Sequence, residues 1–125
     1  MLALDVDRFV QEMFKTDPMV RYVAVVESFR TVGFKQREGL NLYTPNESIR
    51  NYVSIMPPIL IDSVAKLTPH LGEVEFVSVS YAKVLHVYFR RANFVVVVSF
   101  DQSISASSSA RVAEDFNRLS RQYLS

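Results

Sequence analysis

The sequence contains no cysteine, which excludes disulfides and thiolate metal sites and leaves the redox compartment unread. It has only three glycines, Gly33, Gly39 and Gly72. Nowhere do they form the G-x-x-x-x-G-K-[ST] spacing of a phosphate-binding loop, so any nucleotide belongs to a partner. An excess of one charge is missing too: 14 Lys and Arg face 13 Asp and Glu, a net charge of +1, which gives no electrostatic case for nucleic acid. Long apolar runs are absent. FVVVVSF, the densest strand-like one, falls far short of a membrane span. The opening MLALDVDRF lacks the basic region and the roughly 7–15-residue apolar core of a secretory signal. These absences predict a soluble, cytoplasmic protein without membrane insertion.

What is present is a globular mixture, 49% hydrophobic and 22% charged over 125 residues. That length suits one domain spanning residues 1–125 with a proper core. In DVDRFVQEMFK, Val6, Phe9, Val10, Met13 and Phe14 recur at steps of three and four, predicting an amphipathic helix. Asp5 is placed to cap it, and Asp17-Pro18 to end it. The paired carboxylates Asp5 and Asp7 read as opposing the positive end of the helix dipole rather than as a catalytic pair.

A hairpin follows. Val20 to Phe29 is too evenly apolar for a strand with one wet face. The turn is expected at Arg30-Thr31, with a bulge at Gly33 just after it, and the second strand runs from about Val32 to Glu38. Lys35, Arg37 and Glu38 mark that strand as a charged sheet edge. Thr44, Pro45 and Glu47 form a capping box that opens a helical pattern reaching about Leu67, with Thr68-Pro69 and Gly72 at its exit.

From Glu73 the period becomes two. EVEFVSVSY, KVLHVYF and NFVVVVSF are three strands joined by turns near Ala82-Lys83 and Arg91-Asn93. Phe94 to Phe100 is apolar at six of seven positions, which places it in the sheet centre. The tract SISASSS leads into a last helix with Val112, Ala113, Phe116, Leu119 and Tyr123 on one stripe, and Glu114 and Arg118 at pairing distance. Ser103, Ser105 and Ser107 to Ser109 have no G-x-S-x-G elbow, so none reads as a nucleophile. The expected fold is α+β, a five-stranded antiparallel sheet flanked by helices on both faces, in the order α-β-β-α-β-β-β-α. The terminal helices share one face and the middle helix crosses the other.

The middle helix raises the functional question. Ile49, Val53, Met56, Leu60, Val64 and Leu67 make a seam sufficient to bury it on a sheet. Tyr52, Ile55, Pro58, Ile59 and Ile61 widen its apolar girth beyond that need. Pro57 and Pro58 in its midst allow either one kinked helix or a break. With no segment left to overlay the excess, those five residues are expected to form a symmetric dimer interface.

With the elements in this order, the chain resembles the roadblock/dynein light-chain family and its longin-like and profilin-like relatives. The resemblance rests on the hairpin VRYVAVVESF–VGFKQREG, the middle helix from Thr44 to Leu71, the meander GEVEFVSVSYAKVLHVYFRRANFVVVVSFD and the terminal helix. DPMVRY and LGEV also resemble recurring steps of a related archaeal domain of unknown function. The glycine often found in the roadblock hairpin turn is displaced here to Gly33. The resemblance implies homodimers, or heterodimers with sister domains, pairing the middle helices and the adjacent sheet edge. It further implies a scaffold or regulator of small Ras-like GTPases.

No constellation supports an enzyme or a cofactor. His70 and His86 lie on different elements without ligand-spaced neighbours. Lys83, Arg90 and Arg91 read either as charges guarding a turn or as a contact for an acidic partner. The reading is therefore a non-enzymatic homodimeric interaction module. The alternative is a PAS/GAF-like small-molecule sensor, which needs a pocket between sheet and helix. Phe76, Tyr81, Phe89, Phe94 and Phe100 are large enough to fill one.

Overall fold

The computed structural model describes residues 4–39, 46–102 and 106–124. Helix α1 (Val6–Phe14) leads into the hairpin β1 (Val20–Glu27) and β2 (Arg30–Gln36). Helix α2 (Asn46–Val64) continues through a 3-10 turn (Ala65–Leu67) into the short α3 (Thr68–Leu71). The meander β3 (Val77–Ser80), β4 (Val84–Arg91) and β5 (Phe94–Asp101) follows, then α4 (Ala106–Tyr123). The strands form one antiparallel sheet in the order β2-β1-β5-β4-β3. The two most evenly apolar strands, β1 and β5, lie inside the sheet, where both of their faces are covered along almost their whole length.

One face packs against the terminal helices. Phe9, Val10 and Met13 of α1 and Val112, Phe116 and Leu119 of α4 close over Val23, Val25, Val96, Val98 and Phe89. Phe116 stacks on Phe89 at 4.2 Å between centroids. The other face carries α2: Val53 and Ile61 bury against Tyr22, Ala24, Val26, Tyr88, Val95 and Val97. The expected division of helices between the faces is what the structure shows.

Local chemistry explains most boundaries. The Arg8 N–H donates to Asp5 Oδ1 at 3.0 Å, capping α1 as its sequence implies. Beyond α1, Asp17 is buried, accepting from the Met19 N–H at 2.7 Å and from Arg111 at 2.5 Å. On α4, Arg118 pairs with Asp115 at 3.2 Å and not with Glu114. The serine tract is shorter as a connector than expected, since α4 already begins at Ala106. The capping residues Thr44 and Pro45, and Ser103 and Ser105, lie outside the described residues.

The hairpin turn falls at Ser28-Phe29 and not at Arg30-Thr31. Register explains the difference. Gly33 stands opposite Val25 after a bulge, directly beneath α1. A Cβ there would meet Val6 Cγ1 at 2.7 Å and Val10 Cγ2 at 3.0 Å. Only glycine admits the helix this close, and fixing Gly33 opposite Val25 leaves two residues for the turn.

Candidate interaction surface

Helix α2 runs without interruption from Asn46 to Val64, with Pro57 and Pro58 inside it. The two prolines do not break the helix. Both are buried. Ile49, Val53 and Ile61, with Leu60 beside them, pack against the sheet, and the four-residue spacing sets buried Pro57 in the same row. Successive four-residue steps make a ridge inclined to the helix axis, and the buried residues of α2 follow that ridge.

That geometry corrects the expected seam. Met56, Val64 and Leu67, placed against the sheet by a constant 100° step, are instead exposed. It also sorts the five residues expected at an interface. Ile55 is 49% exposed and Ile59 45%, whereas Tyr52 is half-buried. Ile61, at 1%, belongs to the core beneath the helix, and Pro58 is buried with it. The open apolar surface thus comprises Ile55, Met56 and Ile59. Val64 and Leu67 extend it along the helix, and Leu71 of α3 is also exposed.

Beneath the N-terminal half of α2 lies a polar aromatic cluster. Tyr52 Oη sits 2.5 Å from Tyr88 Oη and 3.3 Å from Tyr81 Oη. Strand alternation puts His86 and Tyr88 on the α2 side of β4. The His86 ring lies at 5.3 Å from Tyr81 and 5.9 Å from Tyr22, edge to face in both cases. Burial, reinforced by the positive charge of Arg21, brings His86 down to about 4. Burial also pushes the Tyr22 and Tyr88 hydroxyls above the usual phenol range. Tyr81, hydrogen-bonded to Tyr52, is pushed up to about 12. Arg21 itself is buried and bonds Asp101 at 2.9 Å. Of this cluster the sequence singled out Tyr52, Tyr81 and His86 singly. The period-two pattern of LHVY places His86 and Tyr88 on one face of a strand but does not bring Tyr52 or Tyr81 to them.

The three cations expected to act together do not meet. Lys83 stands before β4 while Arg90 and Arg91 close it. The strand holds them apart by roughly 23 Å at about 3.3 Å per residue. Arg90 bonds Asp62 on α2, and Arg91, by alternation, faces the α1/α4 side. Phe89, Phe94 and Phe100 fill the α1/α4 core as expected, but Phe76 and Tyr81 are exposed. A shallow opening of about 90 Å³ is lined by Phe76, Ser78, Leu85, Val87 and Ala113, on the α4 side of the sheet and not under α2. No group of three or more His, Asp or Glu among the described residues could hold a metal ion. No described helix is long and apolar enough to cross a membrane.

No protein-family model and no curated protein sequence matches the chain. Solved structures do. The Roadblock/LC7 domain from Streptomyces avermitilis superposes with a TM-score of 0.66 at 10% identity, over 91% of this chain and 96% of that one. The gliding protein MglB from Thermus thermophilus gives 0.65 at 14% identity, over 96% of each chain. Profilin II from Acanthamoeba castellanii gives 0.56 at 8% identity, over 95% of this chain and 100% of that one. At these identities the likeness is one of fold, and the chain has the roadblock-type, profilin-like α+β fold.

Proposed function

We propose that the chain is a non-enzymatic, cytoplasmic interaction module that forms a homodimer through the outer face of α2 and acts as a scaffold or regulator of a small Ras-like GTPase. The observation that carries this reading is the helix's two-sided apolarity. One row, Ile49, Val53, Pro57 and Ile61, already seats α2 on the sheet. Ile55, Met56 and Ile59 stand open on its outer side. A twofold axis lets such a patch cover itself with an identical one. Ile55 and Ile59 are the central contacts, with Tyr52 at the margin. Pro58 and Ile61 support the helix from within.

Likeness to roadblock-type structures supports an association role, and one MglB structure is described as a tetrameric arrangement. The interior supports it over a sensor: Tyr22, Tyr88, Val53 and Ile61 occupy the space beneath α2 that a ligand would need. The test is binding of small Ras-like GTPases from the same genome, loaded with GDP or a non-hydrolysable GTP analogue, to the wild type and to Ile55→Asp. Binding by the wild type that the variant loses supports the module. Faster GTP hydrolysis on binding identifies a regulator, and unchanged hydrolysis a scaffold. No binding in either nucleotide state refutes the GTPase assignment.

A further inference from the structure

The β1–β2 turn combines backbone strain with an exposed aromatic ring. Ser28 and Phe29 have φ of 50° and 60°, between the paired residues Glu27 and Arg30. Positive φ at both central positions is the type I′ geometry that Asn-Gly fills without strain. A bulky side chain in that region is an outlier. Phe29 gains little by packing, being 57% exposed and without a ring contact to any described residue. Gly33, the nearest glycine, is tied to its place beneath α1 by Val6 and Val10 and does not serve the turn.

Residues held in sparsely populated backbone regions cluster at ligand clamps and switch regions, where the strain is part of the contact. The surroundings give that contact a chemistry. Register joins Arg30 to Glu27, Glu27 to Phe94 and Phe94 to Arg91, so these four make the last row of the sheet. Arg30 is exposed and has no ion pair among the described residues. The β4–β5 turn, with Ala92 at φ 54°, closes the same end. A rigid ring at a hairpin apex, flanked by guanidinium groups with one carboxylate between them, has the composition of an interface anchor. It matches a pocket, not a flat surface, and an acidic rim rather than a basic one. The tip projects along the strands from the end of the sheet, whereas Ile55 and Ile59 point away from the sheet's face.

We infer that the Ser28–Phe29 tip is a second interaction surface, separate from the α2 face, that inserts the Phe29 ring into an apolar pocket with an acidic rim on a folded partner. Resting on the function proposed above, that partner is the small GTPase. The experiment compares the wild type, Phe29→Ala, the double variant Ser28→Asn/Phe29→Gly and Arg30→Glu. Each is titrated with the nucleotide-loaded GTPase that the wild type binds, with molar mass and melting temperature measured in parallel. The double variant relieves the turn, so it melts at or above the wild-type temperature while binding the GTPase about tenfold or more weakly. Phe29→Ala weakens binding similarly, Arg30→Glu weakens it most at low salt, and the molar mass stays that of the wild type.

Unchanged binding in the Phe29 variants overturns the inference and leaves the functional reading standing. A wild type that binds no small GTPase removes both. A Phe29 variant that changes molar mass instead makes the tip a self-contact, against the inference. Co-sedimentation of the wild type with phosphatidylcholine–phosphatidylglycerol vesicles, lost in Phe29→Ala, assigns the tip to a membrane and also overturns it.

Discussion

Tyr52 on α2 and Tyr88 on β4 hold their hydroxyl oxygens 2.5 Å apart. The pair joins the helix that carries the exposed apolar surface to the sheet that supports it. Tyr88 has no exposed surface, and its second neighbour, His86 Nδ1, lies at 3.5 Å, the outer limit of a hydrogen bond. Tyr52→Phe therefore strands a buried hydroxyl and lowers stability by about 1–2 kcal/mol in denaturant unfolding. Tyr88→Phe costs less, because Tyr52 keeps Tyr81 at 3.3 Å. The double variant falls short of the sum, since both changes remove one shared interaction.

His86 makes stability depend on pH. It faces Tyr22, Tyr52, Tyr81 and Tyr88, with Arg21 nearby. Its folded value of about 4 lies below the ordinary 6.5. Above the ordinary value neither state is charged, and His86 adds no pH dependence. Between the two values the unfolded chain takes up a proton that the folded chain refuses, so stability falls as the solution is acidified. The loss reaches about 3 kcal/mol once the pH is below the folded value. Urea midpoints measured from about pH 7 to about pH 4.5 decline in the wild type, and the decline is shallower in His86→Asn. Parallel declines in the two proteins contradict the assignment.

Gly33 lies directly against Val6 and Val10 of α1. Gly33→Ala places a methyl group 2.7 Å from Val6 Cγ1 and 3.0 Å from Val10 Cγ2, costing about 1–3 kcal/mol by overpacking. Val6→Ala in the same chain removes the nearer clash, so the double variant loses less than the two single losses added together. Thermal or urea unfolding of the four proteins measures this coupling.

Much of this architecture can be read from the chain. Val20 to Glu27 and Phe94 to Asp101 are apolar on both faces and do occupy the sheet centre, because only doubly covered strands tolerate that pattern. Asp5 caps where a capping residue is expected. The phase of α2 is not legible in the same way. A fixed angular step predicts a seam through Met56 and Val64, while the buried residues follow the four-residue row through Pro57. The turn escapes a sequence reading because no Gly or Asn stands at Ser28-Phe29 to announce positive φ, and the register is set instead by contacts of Gly33 with α1. The aromatic cluster needs Tyr22 of β1, Tyr52 of α2, Tyr88 of β4 and Tyr81 just after β3, a juxtaposition supplied by the sheet order and the seat of α2 on it.

The central claim is that α2 presents an assembly surface, and Ile59 tests it without disturbing the core. At 45% exposure, Ile59→Asp changes the stability of the isolated fold by only about 0.5 kcal/mol, but sets a charge in the middle of the proposed contact. Molar mass by light scattering over a concentration series is the decisive measurement. The account predicts a wild-type mass near twice 14.3 kDa that halves in Ile59→Asp while the variant remains folded. A wild type that stays at 14.3 kDa across the series, with Ile55 and Ile59 open to solvent, contradicts it.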